Sequence, residues 1–228
     1  MQINPVGRLA GAVLLVVLLL AASAALAQDA VPITTENARL VSLARETTID
    51  TPLWALAVSP GGLVAAAGGD DTPGPHPIYL WDALTGTLHD TLSGHEGQIR
   101  ALTFSPDGAR LASGGRDGAL RLWDIDTGDL LLQVDGRNVW SVAFSPDGAL
   151  LVAGRGTTTP GSAVLEVVDS ETGAAVGTLS LDESLWPPFA VAFGPDDGRV
   201  LTGGYDGNLL LWDIQTDGVD IIPIIPKS

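Results

Sequence analysis

The chain has 228 residues, 27 acidic against 11 basic, three histidines and no cysteine. A formal charge of −16 argues against sequence-independent nucleic-acid binding, which needs a basic surface. Without cysteine there are no disulfides, thiolate nucleophiles or iron–sulfur ligands, and His76, His89 and His95 are too scattered to suggest zinc. Glycine makes up 28 of the 228 residues, well above the roughly 7% of an average chain. Asp outnumbers Glu 21 to 6, and Asp favours turns where Glu favours helices. Short apolar runs punctuated by Gly, Asp and Pro predict an all-β chain.

Residues 1–27 form an export segment. Arg8 supplies the positive n-region, Leu9 to Ala27 is apolar apart from Ser23, and Ala25-Leu26-Ala27 places small residues at the −3 and −1 positions of a cleavage site. Cleavage would start the mature chain near Gln28. An uncleaved anchor is the alternative, since such a run can almost span a bilayer. On either reading the remainder is expected outside the cytoplasm, with membrane contact only through that segment. Residues 28–37 read as a linker, and Ala38 to Ala44 (ARLVSLA) as a lone strand.

From there the chain repeats. Trp81-Asp82 recurs as Trp123-Asp124, Val168-Asp169 and Trp212-Asp213, at steps of 42, 45 and 44 residues. A second marker, Ser59-Pro60-Gly61-Gly62, returns as Ser105-Pro106-Asp107-Gly108, as Ser145-Pro146-Asp147-Gly148, and loosened as Gly194-Pro195-Asp196-Asp197-Gly198. Within the second unit, Ile99–Ser105, Arg110–Ser113, Ala119–Ile125 and Asp129–Val134 each read as a strand closed by a turn signal. Four such strands make a small antiparallel sheet with two apolar faces, which must stack on copies of itself. Units one and three carry insertions, Asp70 to Pro77 and Arg155 to Gly161. The tail, 219–228, is broken by Pro223 and Pro226 and predicts a poor strand.

Over residues 38–218 the chain resembles the WD-repeat β-propellers, and the export segment suggests the exported bacterial type. The second unit carries the fullest signature: Gly94-His95, Phe104-Ser105-Pro106-Asp107-Gly108, Leu111-Ala112-Ser113-Gly114-Gly115, Asp117 and Leu122-Trp123-Asp124. The resemblance implies a buried hydrogen-bonded chain of His95, Ser113, Asp117 and Trp123. The other units lack the Gly-His pair; the fourth keeps Thr202, Asp206 and Trp212, and the third has Val168 for Trp. It also implies that Ala38–Ala44 supplies the last blade's outer strand. Three arrangements then remain open: closure with four blades, two chains forming an eight-bladed ring, or a shortened remnant.

Catalytic signatures are lacking. His95-Glu96 has no second His at the zincin spacing, no Gly-x-Ser-x-Gly elbow occurs, and Gly154 to Thr159 lacks a phosphate-loop lysine. Asp124 to Asp129 has calcium-loop spacing, but Gly128 stands where a ligand is wanted and Asp135 where a glutamate belongs, so a connecting turn is expected. No cofactor or metal is expected. What remains is recognition. Near the start of each first strand stand Trp54, Arg100, Trp140 and Phe189, and before the tight-turn Asp stand Arg116 and Tyr205. In similar propellers these positions lie on the top face, and aromatic and Arg side chains anchor interfaces. Trp54 and Trp140 also fit a role in packing between blades. The leading expectation is a non-enzymatic interaction scaffold for a protein or peptide. A channel-based enzyme or ligand binder and an inactive remnant are the alternatives.

Overall fold

The computed structural model describes residues 51–157, 162–180, 187–195, 198–204, 207, 209–214 and 218–222. The first sheet comprises β1 (Leu53–Val58), β2 (Leu63–Gly68), β3 (His76–Asp82) and β4 (Leu88–His95). The second comprises β5 (Ile99–Phe104), β6 (Arg110–Gly115), β7 (Ala119–Asp124) and β8 (Leu130–Asp135). The third holds β9 (Val139–Phe144), β10 (Leu150–Arg155), β11 (Val164–Asp169) and β12 (Ala175–Ser180). The fourth holds β13 (Pro188–Phe193), β14 (Arg199–Gly204), β15 (Leu209–Asp213) and β16 (Gly218–Ile222). Each sheet is a meander of consecutive antiparallel strands. The fold is all-β, four blades of the propeller kind.

The turns show why the repeat markers recur. Ser105 Oγ accepts the Arg110 amide (2.9 Å) and donates to Asp107 Oδ1, which also accepts the Ala109 amide (3.0 Å). Gly108 closes this turn at φ +75°, a backbone conformation that costs any residue with a Cβ. Ser145, Asp147 and Gly148 repeat the arrangement. At the far end of the third strand, Asp124 Oδ1 accepts the amides of Asp126 and Thr127. The segment with calcium-loop spacing is thus the β7–β8 turn, and Asp82 and Asp169 cap the equivalent turns.

Three apolar cores join the four blades. Ala65, Ile78 and Leu80 of the first blade meet Ile99, Leu102 and Leu111 of the second. Leu120 and Leu122 meet Val139, Leu151 and Val168, so the valine in place of Trp packs as core. Val152 and Leu165 meet Val200, Leu210 and Trp212. Gly114 shows how close the blades come: a Cβ there would lie 2.2 Å from Val139 Cγ1. Inner strands pack in order, β1 on β5, β5 on β9 and β9 on β13, with no comparable contact of β13 with β1 among the described residues. Arginines brace these interfaces. Arg155, buried at the end of β10, donates to the carbonyls of Gly118 and Val134 in blade two and of Arg137 in the connection between the blades, and pairs with Glu166 in its own blade. It belongs to the strand, not to the insertion loop that the sequence suggested.

The tail also departs from expectation. Gly218–Ile222 pairs antiparallel with β15 as the outer strand of the fourth blade. The strand ends immediately before Pro223, so every residue it pairs keeps its amide hydrogen. The outer place expected for Ala38–Ala44 is therefore taken by a local hairpin; residues 38–44 themselves lie outside the described residues, as do the export segment and linker.

Blade two holds the hydrogen-bonded chain. Trp123 Nε1 donates to Ser113 Oγ (2.8 Å), Ser113 meets His95 Nε2 (2.8 Å), and His95 Nδ1 meets Asp117 Oδ2 (2.9 Å). Arg121 Nη1, a donor, also approaches His95 Nδ1 (2.6 Å). It donates to Asp117 Oδ2 as well (2.8 Å). Blade four keeps a fragment, Trp212 Nε1 to Thr202 Oγ1 (2.9 Å), while Asp206 lies outside the described residues. In blade one Trp81 instead stacks on Tyr79, with centroids 5.4 Å apart. Burial depresses the His95 imidazole against the opposing pull of Asp117. Burial alone would raise the Asp117 carboxyl, but the His95 and Arg121 contacts hold it well below the carboxylate range.

Both folded-state values lie below the unfolded ones, so both groups stabilise the fold at high pH and lose that contribution as pH falls. Thermal scans should show stability declining once pH drops below about 6.5, where an unfolded histidine takes up its proton, and again below about 4. His95→Gln should abolish the first step and leave the second, which other turn carboxylates share. Ser113→Ala, which strands the buried Trp123 and His95 nitrogens, should cost about 1–3 kcal/mol in denaturant titration.

Candidate functional site

The starts of β1, β5, β9 and β13 lie along one rim, together with the loops that follow β2, β6 and β10. Stacking the blades brings the second residue of each inner strand into a single file. The Arg100 guanidinium lies over the Trp54 ring on one side (4.8 Å to the centroid) and over the Trp140 ring on the other (5.1 Å). Trp140 continues the file to Phe189, edge to face at 4.9 Å. Four residues expected from repeat position alone are therefore in contact, one from each blade.

Hydrogen bonds to the loops fix both indoles. Trp54 Nε1 donates to the Gly69 carbonyl (2.9 Å), and Trp140 Nε1 to the Gly156 carbonyl (3.0 Å). Both acceptors follow the second strand of their own blade, where units one and three depart from the tight Gly-Gly-Arg-Asp-Gly turn of unit two. The Gly69 carbonyl is shared, because Gln98 Nε2 also donates to it (2.8 Å).

Exposure divides the file. Trp54 is 54% exposed and Phe189 40%, whereas Trp140 is 8% exposed. Trp140 is thus a buried support, consistent with the packing role weighed for it, while Trp54, Arg100 and Phe189 present surface. Arg116 sits on the same rim, exposed and paired with Asp71. Tyr205 lies outside the described residues. Burial, then the neighbouring Arg116 charge, lower the Arg100 guanidinium from its ordinary value, and Asp71 opposes them. Arg100 Nε is buried without a hydrogen-bond partner, and so is Gln98 Oε1. Sequence reasoning passed over Gln98 and Asp71. Gln98 carried no signal beyond its place two residues before Arg100, and Asp71 was hidden in an insertion.

The opposite rim offers different chemistry. At the opposite ends of β5, β9 and β13 lies an open concavity of about 380 Å³, lined by Phe104, Val142, Phe144 and Phe193 among others. Among the described residues no titratable side chain lines it. Among the described residues no cluster of His, Cys, Asp and Glu could hold a metal ion.

The model of the WD domain, G-beta repeat, matches residues 86–124, 128–159 and 184–213. These three stretches are WD40 repeats. The chain is 33% identical over 141 residues to small ribosomal subunit protein RACK1 of Schizosaccharomyces pombe, covering 58% of this chain and 43% of that one. It is 36% identical over 143 residues to a guanine nucleotide-binding protein subunit beta of Arabidopsis thaliana, covering 58% and 37%. A periodic tryptophan protein 2 homolog of S. pombe is 39% identical over 95 residues, 41% of this chain and 11% of that protein. The chain thus spans less than half the length of each of these relatives, all eukaryotic. The first blade falls mostly outside the matched stretches, yet it folds as the others do.

Burial predicts unequal costs along the file. Trp140→Ala should destabilise the chain by about 3–5 kcal/mol in urea unfolding, as buried aromatic truncations do. Trp54→Ala should cost about 1 kcal/mol or less.

Proposed function

We propose that this chain is an exported, non-enzymatic interaction module that binds a protein or peptide through the rim carrying Trp54, Arg100 and Phe189. The carrying observation is the file itself: the Arg100 guanidinium lies against the rings of exposed Trp54 and buried Trp140, and Trp140 carries the file on to exposed Phe189. Aromatic and arginine side chains held rigid in this way lose little entropy on binding, which is why they dominate interface energetics. The similarity to RACK1 and to a G-protein beta subunit supports an interaction role. The exported bacterial assignment rests on residues 1–27 alone.

A second reading concerns assembly. Three apolar cores join four blades, and β13 makes no comparable contact with β1 among the described residues. Two chains pairing end to end would cover the terminal blades and form an eight-bladed ring. Light scattering on residues 28–228 should then return the mass of a dimer; a compact monomer would discard this arrangement.

The interaction role has a site-resolved test. A photo-crosslinking amino acid at position 54 should capture a discrete partner in the extracytoplasmic fraction, and the same group at exposed Leu131 on β8 should not. Equal capture at both positions would sink the rim as the binding surface. N-terminal sequencing of the exported chain should begin at Gln28.

A further inference from the structure

Two arginines share the rim and differ in one respect. Arg116 has its charge answered by Asp71. Arg100 makes no ion pair or hydrogen bond among the described residues, and its Nε is buried without an acceptor. Its Cζ lies 4.8 and 5.1 Å from the Trp54 and Trp140 ring centroids, and no hydrogen bond or ion pair engages its terminal N–H groups among the described residues, so those groups remain for a ligand. They form a planar fork of N–H donors, matched in width and geometry by two oxygens of one oxyanion. The exposed Trp54 and Phe189 rings lie within the same file and offer apolar contact on either side.

Resting on the interaction role proposed above, we infer that the rim is a receptor for a carboxylate: an Asp or Glu of the partner, bracketed by apolar side chains, forks onto Arg100. Charge selects the carboxylate over a phosphate. Asp70 and Asp71 stand in the loop that bears the Gly69 carbonyl, and the chain carries a formal charge of −16. A dianion pays more repulsion there than a single negative charge does.

The probe is a fluorescein-labelled peptide, Leu-Ala-Glu-Leu-Phe within an alanine and glycine frame, with its Glu→Gln and phosphoserine counterparts. Each is titrated by anisotropy against the full mature chain and against Arg100→Gln, Arg100→Lys and Trp54→Ala. The Glu peptide should bind the unaltered chain about ten- to a hundredfold more tightly than the Gln peptide, the range of a charge-assisted fork. Arg100→Gln should erase that difference, Arg100→Lys should restore only part of it, and Trp54→Ala should weaken both peptides alike. Equal binding of the Glu and Gln peptides, with both still sensitive to Trp54→Ala, overturns the carboxylate and keeps the rim. Tighter binding of the phosphoserine peptide reassigns the fork to phosphate. A Glu preference that survives Arg100→Gln and Trp54→Ala overturns both the carboxylate site and the rim. Far-ultraviolet circular dichroism and unfolding midpoints of each variant separate lost binding from lost fold.

Discussion

A four-stranded sheet that is apolar on both faces has no stable existence in water, and every other feature of this chain follows from the need to cover those faces. Each blade meets the next through a dry core, Ile78 and Leu80 against Ile99 and Leu111, then Leu120 and Leu122 against Val139 and Leu151. Burial on that scale is what offsets the ordering of so many short strands. The approach has to be close, and Gly114 is the residue that lets Val139 in. Polar side chains then complete what apolar contact begins. Arg155 reaches from the third blade to two carbonyls of the second and one of the connection between them, and Arg110 reaches the Gly148 carbonyl from the other side. In an acidic chain these few cations serve as cross-braces.

The rim is a consequence of the same stacking. Once inner strands pack side by side, their second residues must come within ring-contact distance of one another. A guanidinium between two indoles is a favourable way to fill that file, since each contact contributes and neither requires a buried counter-ion. The loops after β2 and β10 turn this proximity into a fixed geometry, because their first carbonyls accept the indole hydrogens. A loop that looks like decoration in the sequence thus fixes an indole of the file.

The polar chain of blade two illustrates a different economy. Trp123, Ser113, His95 and Asp117 satisfy one another inside a blade, and Arg121 supplies a further donor to the carboxylate. A buried network with every member matched favours one packing over its near alternatives. Among the described residues only this blade has the full set, and its neighbours on both sides lean on it through their cores. The blades without it substitute ring stacking, as Tyr79 does on Trp81, or aliphatic packing, as Val168 does.

Much of this was legible in residue order, because the physics involved is local. Period-two alternation, turn residues of fixed conformation and two markers in register define the repeat, and the strands of the second unit to within a residue or two. The hydrogen-bonded chain of His95, Ser113, Asp117 and Trp123 was readable through its resemblance to a known repeat. Position within the repeat also nominated Trp54, Arg100, Trp140 and Phe189. Tertiary structure decided the rest. Whether an aromatic side chain is displayed or buried depends on what the adjacent blade places beside it, and so Trp140 became support while Trp54 remained surface. The outer strand of the fourth blade went to Gly218–Ile222 because a hairpin closes a short loop, whereas a segment near residue 40 would have to close a long one. That Arg100 lies against both Trp54 and Trp140 is a fact about three blades at once, and no single repeat contains it.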